Sequence, residues 1–323
     1  MITHATALAS LFGHDPATYE PSRLHTGSRT YRETNCYADV LIELLHARGD
    51  DPVAAMGSTI RTDFEGDQWT FFKPPPGDLE QLFGVDIHEM QPYRPLPQQI
   101  EEQIRRGRSV IVELDSWYLP DTAATSYRTE HVKTSVATEA IDVAGERLRY
   151  YHNAGLHELD DEDFRGVFRL GGCVSDDVLP PYTELARFDA GPRLDGEPLR
   201  AAARSLLRHH LDRRPGSNPF ERFGARLVDD LPRLLEGDAA DYHAYAFATV
   251  RMVGSAFELC ASHVDWLLAE PETRASAAMA SIVHGSTALS FKLARRRAFD
   301  SRPALDALAA AWDEAVTALD RAL

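Results

Sequence analysis

The feature that most constrains this chain is a change of character near residue 190. Upstream, short runs rich in β-branched and aromatic residues alternate with Pro-rich loops. Downstream, long Ala- and Leu-rich stretches with helical periodicity follow one another. Such patterning predicts an α+β domain followed by an all-helical one. The stretch 189–198 (DAGPRLDGEP) has the Asp, Gly and Pro punctuation of a linker, which puts the domains at 1–190 and 191–323. A length of 323 residues suits two domains of ordinary size.

Within the first part, 35–48 reads as a helix. Val40, Leu41, Leu44 and Leu45 share a face, and Gly49 supplies the stop. A second helix spans 97–106, with Ile100 and Ile104 four apart and Gly107 ending it. The apolar run 109–114 reads as a buried strand. The runs 131–143 and 147–152, split by Ala144-Gly145-Glu146, read as a β-hairpin. The second part reads as helices at 198–212, 219–235, 239–268, 271–298 and 302–322. There the stripe Phe247, Val250, Val253, Phe257, Cys260 and Val264 is expected to line a bundle core.

Charge narrows the partners. Asp plus Glu number 50 against 34 Lys plus Arg, a net charge of −16, which argues against a sequence-independent binder of nucleic-acid backbone. No apolar run approaches the roughly 18–20 residues of a membrane span. Residues 1–13 lack the basic start and apolar core of a signal peptide. The expected setting is cytoplasmic, with no membrane partner. Cys36, Cys173 and Cys260 form no C-x-x-C pair, so neither a structural zinc nor a disulfide framework is expected. Cys173 and Cys260 lack a neighbouring base and read as structural. The pair His209-His210 has no H-E-x-x-H context, so no metal site is expected.

Chemistry concentrates at Cys36. It opens the first helix, where free backbone amides and the helix dipole favour an anion: the thiolate, or an oxyanion beside it. His131 opens the hairpin, and a tight return brings Asn153 back toward it, where a carboxamide can orient an imidazole. Helix-borne Cys, strand-borne His and a following Asn form the papain-like order. The burial habit of cysteine and the edge position of the histidine supply the plainer alternative. In the loop 63–73 (DFEGDQWTFFK), Gln68 or Lys73 can meet a carbonyl or a phosphate, while its aromatic residues are better explained by packing. The loop 115–120 (DSWYLP) follows a strand end. There Tyr118 can hydrogen-bond an acyl group and Asp115 can tie down the loop. Arg105, Arg106 and Arg108, or Lys292 with Arg295–Arg297, offer basic clusters for an acidic carrier, although solvated helix ends explain them as well.

The segments 35–37 (NCY), 63–73, 115–120, 131–134 (HVKT) and 152–155 (HNAG) resemble the bacterial family catalogued as domain of unknown function 1839, over most of the chain. The cysteine, the Asp-x-x-Tyr-Leu-Pro stretch and the later histidine are also similar to the papain-like acyltransferase domain at the amino end of butirosin biosynthesis protein H. This second resemblance implies a papain-like cysteine-peptidase-type fold for 1–190, with Cys36 as nucleophile and His131 as base. The third member stays open among Asn153, His152 and Asp142, because relatives often carry Asp where this chain has Asn153. The oxyanion donor stays open among Asn35, Gln68 and backbone amides. Substrate contacts are expected from Asn35, Gln68, Trp69, Asp115, Tyr118 and His152. The implied reaction moves an (amino)acyl group from the phosphopantetheine thioester of an acyl or aminoacyl carrier protein to a small-molecule amine. No cofactor is bound, and phosphopantetheine arrives as part of the substrate. A cysteine hydrolase with the same dyad, or a non-catalytic binding protein on the same frame, is the rival expectation.

Overall fold

The computed structural model describes residues 8–171, 179–270 and 273–323. Cys173 lies outside them. In chain order, β1 (Ala9–Ser10) precedes helix α1 (Cys36–Ala47). A 3₁₀ stretch over Pro52–Arg61 and two short strands, β2 (Phe64–Glu65) and β3 (Gln68–Trp69), follow. Then come α2 (Pro76–Phe83), β4 (Asp86–Glu89), α3 (Leu96–Arg105) and β5 (Ser109–Asp115). After two 3₁₀ turns the chain forms β6 (Lys133–Asp142), β7 (Arg147–His152), β8 (Gly155–Asp160), α4 (Asp161–Val167) and β9 (Thr183–Arg187). The remainder is helical: α5 (Gly196–Leu211), α6 (Pro219–Glu236), α7 (Ala239–Ala246), α8 (Met252–Leu268), α9 (Arg274–Ala294) and α10 (Arg302–Ala322). The chain is thus mixed α/β with an antiparallel sheet, followed by a helical part. Among the described residues, no helix is long and apolar enough to cross a membrane.

Two compact units emerge. The first holds the described residues up to His25 together with Cys36–Pro52 and Leu79–Leu194. The second holds Thr26–Asn35, Val53–Asp78 and Asp195–Leu323. The composition shift near residue 190 therefore marks where continuous helix begins, while two earlier segments also belong with the helices.

The first unit is built on a seven-stranded sheet. Its order is β4-β9-β5-β6-β7-β8 with β1 also on β6, and every pairing is antiparallel. Alternation along each strand gives the sheet two distinct faces. Val110, Val112 and Leu114 of β5, Val136 of β6 and Leu148 and Tyr150 of β7 pack with Ile100 and Ile104 of α3 and Phe164 of α4 in one apolar core. The alternate residues, among them Glu113, Ser135 and Glu184, face the side that carries α1, where Cys36 meets Ser135 and Tyr37 meets Glu184. Every residue of α1 from Tyr37 to Leu45 is buried, the pattern of a helix covered all round. Gly49, at φ 85°, turns the chain away after it, and its N–H reaches the His46 carbonyl at 2.8 Å.

Full burial of α1 carries a cost, since Asp39 and Glu43 go in with it. His25 stands between them, Nδ1 against Glu43 and Nε2 3.2 Å from Asp39, all three 1% exposed or less. Tyr19 Oη donates to Glu43 at 2.5 Å, and the Ser22 N–H donates at 3.0 Å. Burial by itself pulls the His25 pKa down. The hydrogen bonds and charges of the two carboxylates outweigh it and raise the value to about 9.

In the second unit, the two early segments are tied to helices. The backbone N–H groups of Thr30 and Tyr31 donate to Glu258 at 2.7 and 2.8 Å. His263 Nδ1 meets the Val53 carbonyl at 2.8 Å, and Arg222 pairs with Asp63. A Cβ at Gly57 would lie 2.7 Å from His263 Nε2, so only glycine admits this approach. The expected helix 239–268 contains one π turn, over Phe247–Arg251. Val250, Val253, Phe257, Cys260 and Val264 are fully buried as the stripe requires, but Phe247 is 52% exposed. The wider turn shifts the register by about one residue and swings Phe247 off the stripe.

Candidate active site

The end of β5 and the approach to β6 hold the clearest chemical arrangement in the first unit. Asp115↔Lys133 is the last paired rung between these strands, and the Ser116 N–H still reaches the Val132 carbonyl at 2.9 Å. Continuing that register sets Trp117 opposite His131. Their rings stack, with centroids 4.6 Å apart and planes 10° off parallel. Asp115 has two tasks. Its Oδ1 accepts the Trp117 N–H at 3.0 Å, capping the 3₁₀ turn Ser116–Tyr118, and its Oδ2 lies 2.6 Å from His131 Nδ1. An ionised carboxylate can only accept, so Nδ1 is the donor in this contact. The imidazole is 65% exposed.

This pair opens on a cavity of about 350 Å³ whose wall includes Glu113, Asp115, His131, Lys133, Arg169 and Tyr182. Lys133 Nζ donates to Glu113 at 2.8 Å, and Tyr182 Oη donates to Glu184 at 2.8 Å. Burial, and then the Glu184 carboxylate, push the Tyr182 phenol up to about 12, so it stays a hydrogen-bond donor at neutral pH.

Cys36 is the first residue of α1 and is partly buried. Its thiol donates to Ser135 Oγ at 3.6 Å. Ser135 and His131 are four residues apart, about 13 Å along an extended strand. The thiol and the acid–imidazole pair therefore share a face of the sheet on different rungs, without a hydrogen bond between them.

The other expected residues fall as follows. Asn153 sits in the turn between β7 and β8 at φ 48°, and the pairing Ala137↔Tyr151, extended by two, sets it level with Ser135 rather than His131. In place of the expected carboxamide, His131 has the Asp115 carboxylate. His152 points to the opposite face, because Thr134, its Nε2 partner at 2.8 Å, alternates with Ser135. Its Nδ1 is 2.5 Å from Asp121, which also accepts from Tyr150 Oη at 2.5 Å. This closed network is buried, with the His152 side chain 2% exposed. Asp142 accepts the Gly145 N–H at 2.9 Å in the hairpin turn. The Tyr118 ring lies against Gly166, where a Cβ would collide with it, and under the Arg128 guanidinium. Asn35, Gln68 and Trp69 belong to the second unit. Asn35 Nδ2 donates to the Phe72 carbonyl at 3.0 Å, and Gln68 is exposed in the β2–β3 hairpin. Trp69 is buried among Phe64, Phe220 and Phe223.

Sequence reading missed the pairing of Asp115 with His131, the Trp117 stack, the Ser135 contact and the Asp121–His152 network. Strand register was the available signal for the first two. Among the described residues, no group of three His, Cys, Asp or Glu side chains is placed to hold a metal ion. His210 instead meets Asp78 at 2.7 Å, and His209 meets Arg213. Cys260 is fully buried, and burial raises its thiol to about 12 despite the opposing Thr59 contact.

An antiparallel α/β unit with an open carboxylate–imidazole pair, followed by helices, is the class that fold and geometry define. The chain belongs to the DUF1839 family: residues 20–188 match the DUF1839 N-terminal domain and residues 196–321 the DUF1839 C-terminal domain. A search of curated proteins gives no match.

Proposed function

We propose that this chain is a cysteine-dependent acyltransferase with a papain-like arrangement, in which Cys36 accepts an acyl group and His131, oriented by Asp115, serves the acceptor. The observation that carries the reading is the 2.6 Å Asp115–His131 pair, open to a cavity, on the sheet face that also bears Cys36. The donor is an (amino)acyl thioester on the phosphopantetheine arm of a carrier protein, and the acceptor is a small amine. The Cys36 thiolate attacks the thioester carbonyl, and the tetrahedral oxyanion rests against amides at the start of α1. The pantetheine thiolate leaves and takes up the proton that the Cys36 thiol gave up on becoming the thiolate. In the second half-reaction, the amine attacks the acyl carbon and gives its proton to His131 Nε2, and the Cys36 thiolate departs. Sulfur, acyl carbon, amine and imidazole in line span about 7–8 Å, against about 13 Å of strand between Ser135 and His131, so the reading requires the two side chains to reach toward each other when substrate is bound. A cytoplasmic setting suits a free nucleophilic thiol.

The experiment is incubation with an acyl-pantetheine thioester, with intact-mass and peptide mass spectrometry as the readout. One acyl group should appear on Cys36 and none in Cys36→Ala. His131→Gln should still acquire the group yet pass it to an amine about 10²–10⁴-fold more slowly. No adduct, or one that persists in Cys36→Ala, would refute the reading.

The Cys36–Ser135 contact favours one other reading. With a hydroxyl where a cysteine enzyme would hold its base, the chain binds an acylated ligand in the cavity without transforming it. Binding of a non-hydrolysable acyl-pantetheine, unaffected by Cys36→Ala and without turnover of the thioester, would select it.

A further inference from the structure

Helices α6 and α10 of the second unit frame a groove of about 440 Å³ that the acyl-transfer reading does not use. Phe220, Gly224 and Val228 recur every four residues along one face of α6, and Leu305 and Ala309 do the same on α10. A Cβ at Gly224 would lie 3.4 Å from Leu305 Cβ, so the glycine lets the two helices close together there. Ala225 and Ala309, with only a methyl group each, leave the space beside that contact. Asn218 pins one end. Its Oδ1 accepts the Phe220 N–H at 3.0 Å, and its Nδ2 donates to the Ala309 carbonyl at 2.8 Å. The floor is apolar and reaches solvent, with Val228 39% exposed. The rim carries Glu221, Asp229 and Asp306 together with Arg302. Among the described residues, none of these four side chains is in an ion pair. The arginines of α6 are engaged elsewhere, Arg222 with Asp63, and Arg226 and Arg233 with Asp230.

We infer that this groove binds a small amphipathic organic cation, an ammonium group carried on a short apolar chain or ring. The carbon skeleton lies over Phe220, Val228 and Leu305, and the ammonium meets the carboxylate rim. Three carboxylates against one guanidinium leave the rim net negative, which attracts a cation and repels an anion. These charges stand at the mouth in water and are partly screened, so burial of carbon supplies most of the affinity while charge selects among ligands. A bare metal ion would gain nothing from the apolar floor. The volume falls in the range of small-molecule sites. Neither Cys36 nor His131 takes part, so the inference stands independently of acyl transfer.

Calorimetric titration of the full chain with 4-phenylbutylamine, 4-phenylbutanol and 4-phenylbutyrate tests this with one carbon skeleton and three charges. The amine should bind saturably, the alcohol more weakly and the carboxylate most weakly. Added salt should narrow the gap between amine and alcohol. Asp229→Asn and Asp306→Asn should each weaken the amine about two- to fivefold and leave the alcohol unchanged. Arg302→Gln should tighten the amine by a similar factor, a gain that damage to the fold would not produce. Ala225→Leu, which fills the groove from an exposed position, should weaken amine and alcohol alike by about tenfold or more. Its thermal melt, followed by circular dichroism, should match the parent. Equal affinity for the three compounds, an Arg302→Gln protein that binds the amine no more tightly, or no saturable binding of the amine would overturn the inference. So would capture of a helical Lys/Leu peptide by a groove that ignores the amine, which would make it a protein interface.

Discussion

Two imidazoles of the sheet-bearing unit are paired with carboxylates and live in opposite surroundings. His25 is 1% exposed, locked between Asp39 and Glu43 of α1, with both ring nitrogens engaged. His131 is 65% exposed, with one nitrogen on Asp115 and the other without a hydrogen-bond partner among the described residues. The same chemical pair thus does two jobs. Where water is excluded, the imidazole neutralises charge that a buried helix cannot otherwise hold. Where water is present, the carboxylate contributes little stability and instead orients the ring. His152, closed off by Asp121 and Thr134, is likewise buried with both ring nitrogens engaged.

The contrast can be broken by mutation. His25→Gln should cost most, about 3–5 kcal/mol in urea unfolding, because two carboxylates are left buried without their cation. A loss below 1 kcal/mol would mean that Asp39 and Glu43 do not depend on it. Alkali should reproduce part of that loss in the parent. The folded-state pKa of His25, about 9, lies above its ordinary value of 6.5, so the protonated imidazole stabilises the fold fully below pH 6.5. That contribution, on the order of 3 kcal/mol, fades as the pH climbs through about 9. The midpoint of unfolding followed from pH 6 to pH 10 should therefore fall in the parent and stay nearly flat in His25→Gln.

His152→Ala, which strands the buried Asp121, should cost about 2–3 kcal/mol while leaving alkylation of Cys36 by iodoacetamide unchanged, since it faces the other side of the sheet. A changed labelling rate would place the two groups in one site. Smallest of all, His131→Gln and Asp115→Asn should each shift stability by less than about 1 kcal/mol. A large loss at either would turn the exposed pair into a structural one and remove its claim to chemistry.

Local signals carried the elements whose partners are near in sequence. The helix beginning at Cys36, the strand 109–115, the hairpin around Gly145 and most of the helical spans follow from periodicity and punctuation. The carboxylate of His131 depended on pairing between β5 and β6, strands joined by a long loop. Once Asp115 is set against Lys133, Trp117 must come opposite His131, but no local pattern fixes that register. Hairpin geometry alone brought Asn153 back only to the level of Ser135, four positions short of the histidine. The assignment of residues 26–35 and 53–78 to the helical unit was equally invisible. It rests on contacts such as Tyr31 with Glu258 and Asp63 with Arg222, which bridge some 160–230 positions. The π turn escaped because a single added residue leaves the stripe from Val250 to Val264 intact and displaces Phe247 alone.

The place of β9 between β4 and β5 has a consequence for biogenesis. As the polypeptide leaves the ribosome, β4 and β5 emerge some seventy or more residues before the strand that must join them. Their facing edges stay open until Arg187 has cleared the exit tunnel. A nascent chain stalled before that point exposes two unpaired rims, the form in which a β-rich intermediate is most readily captured by another strand or by a chaperone.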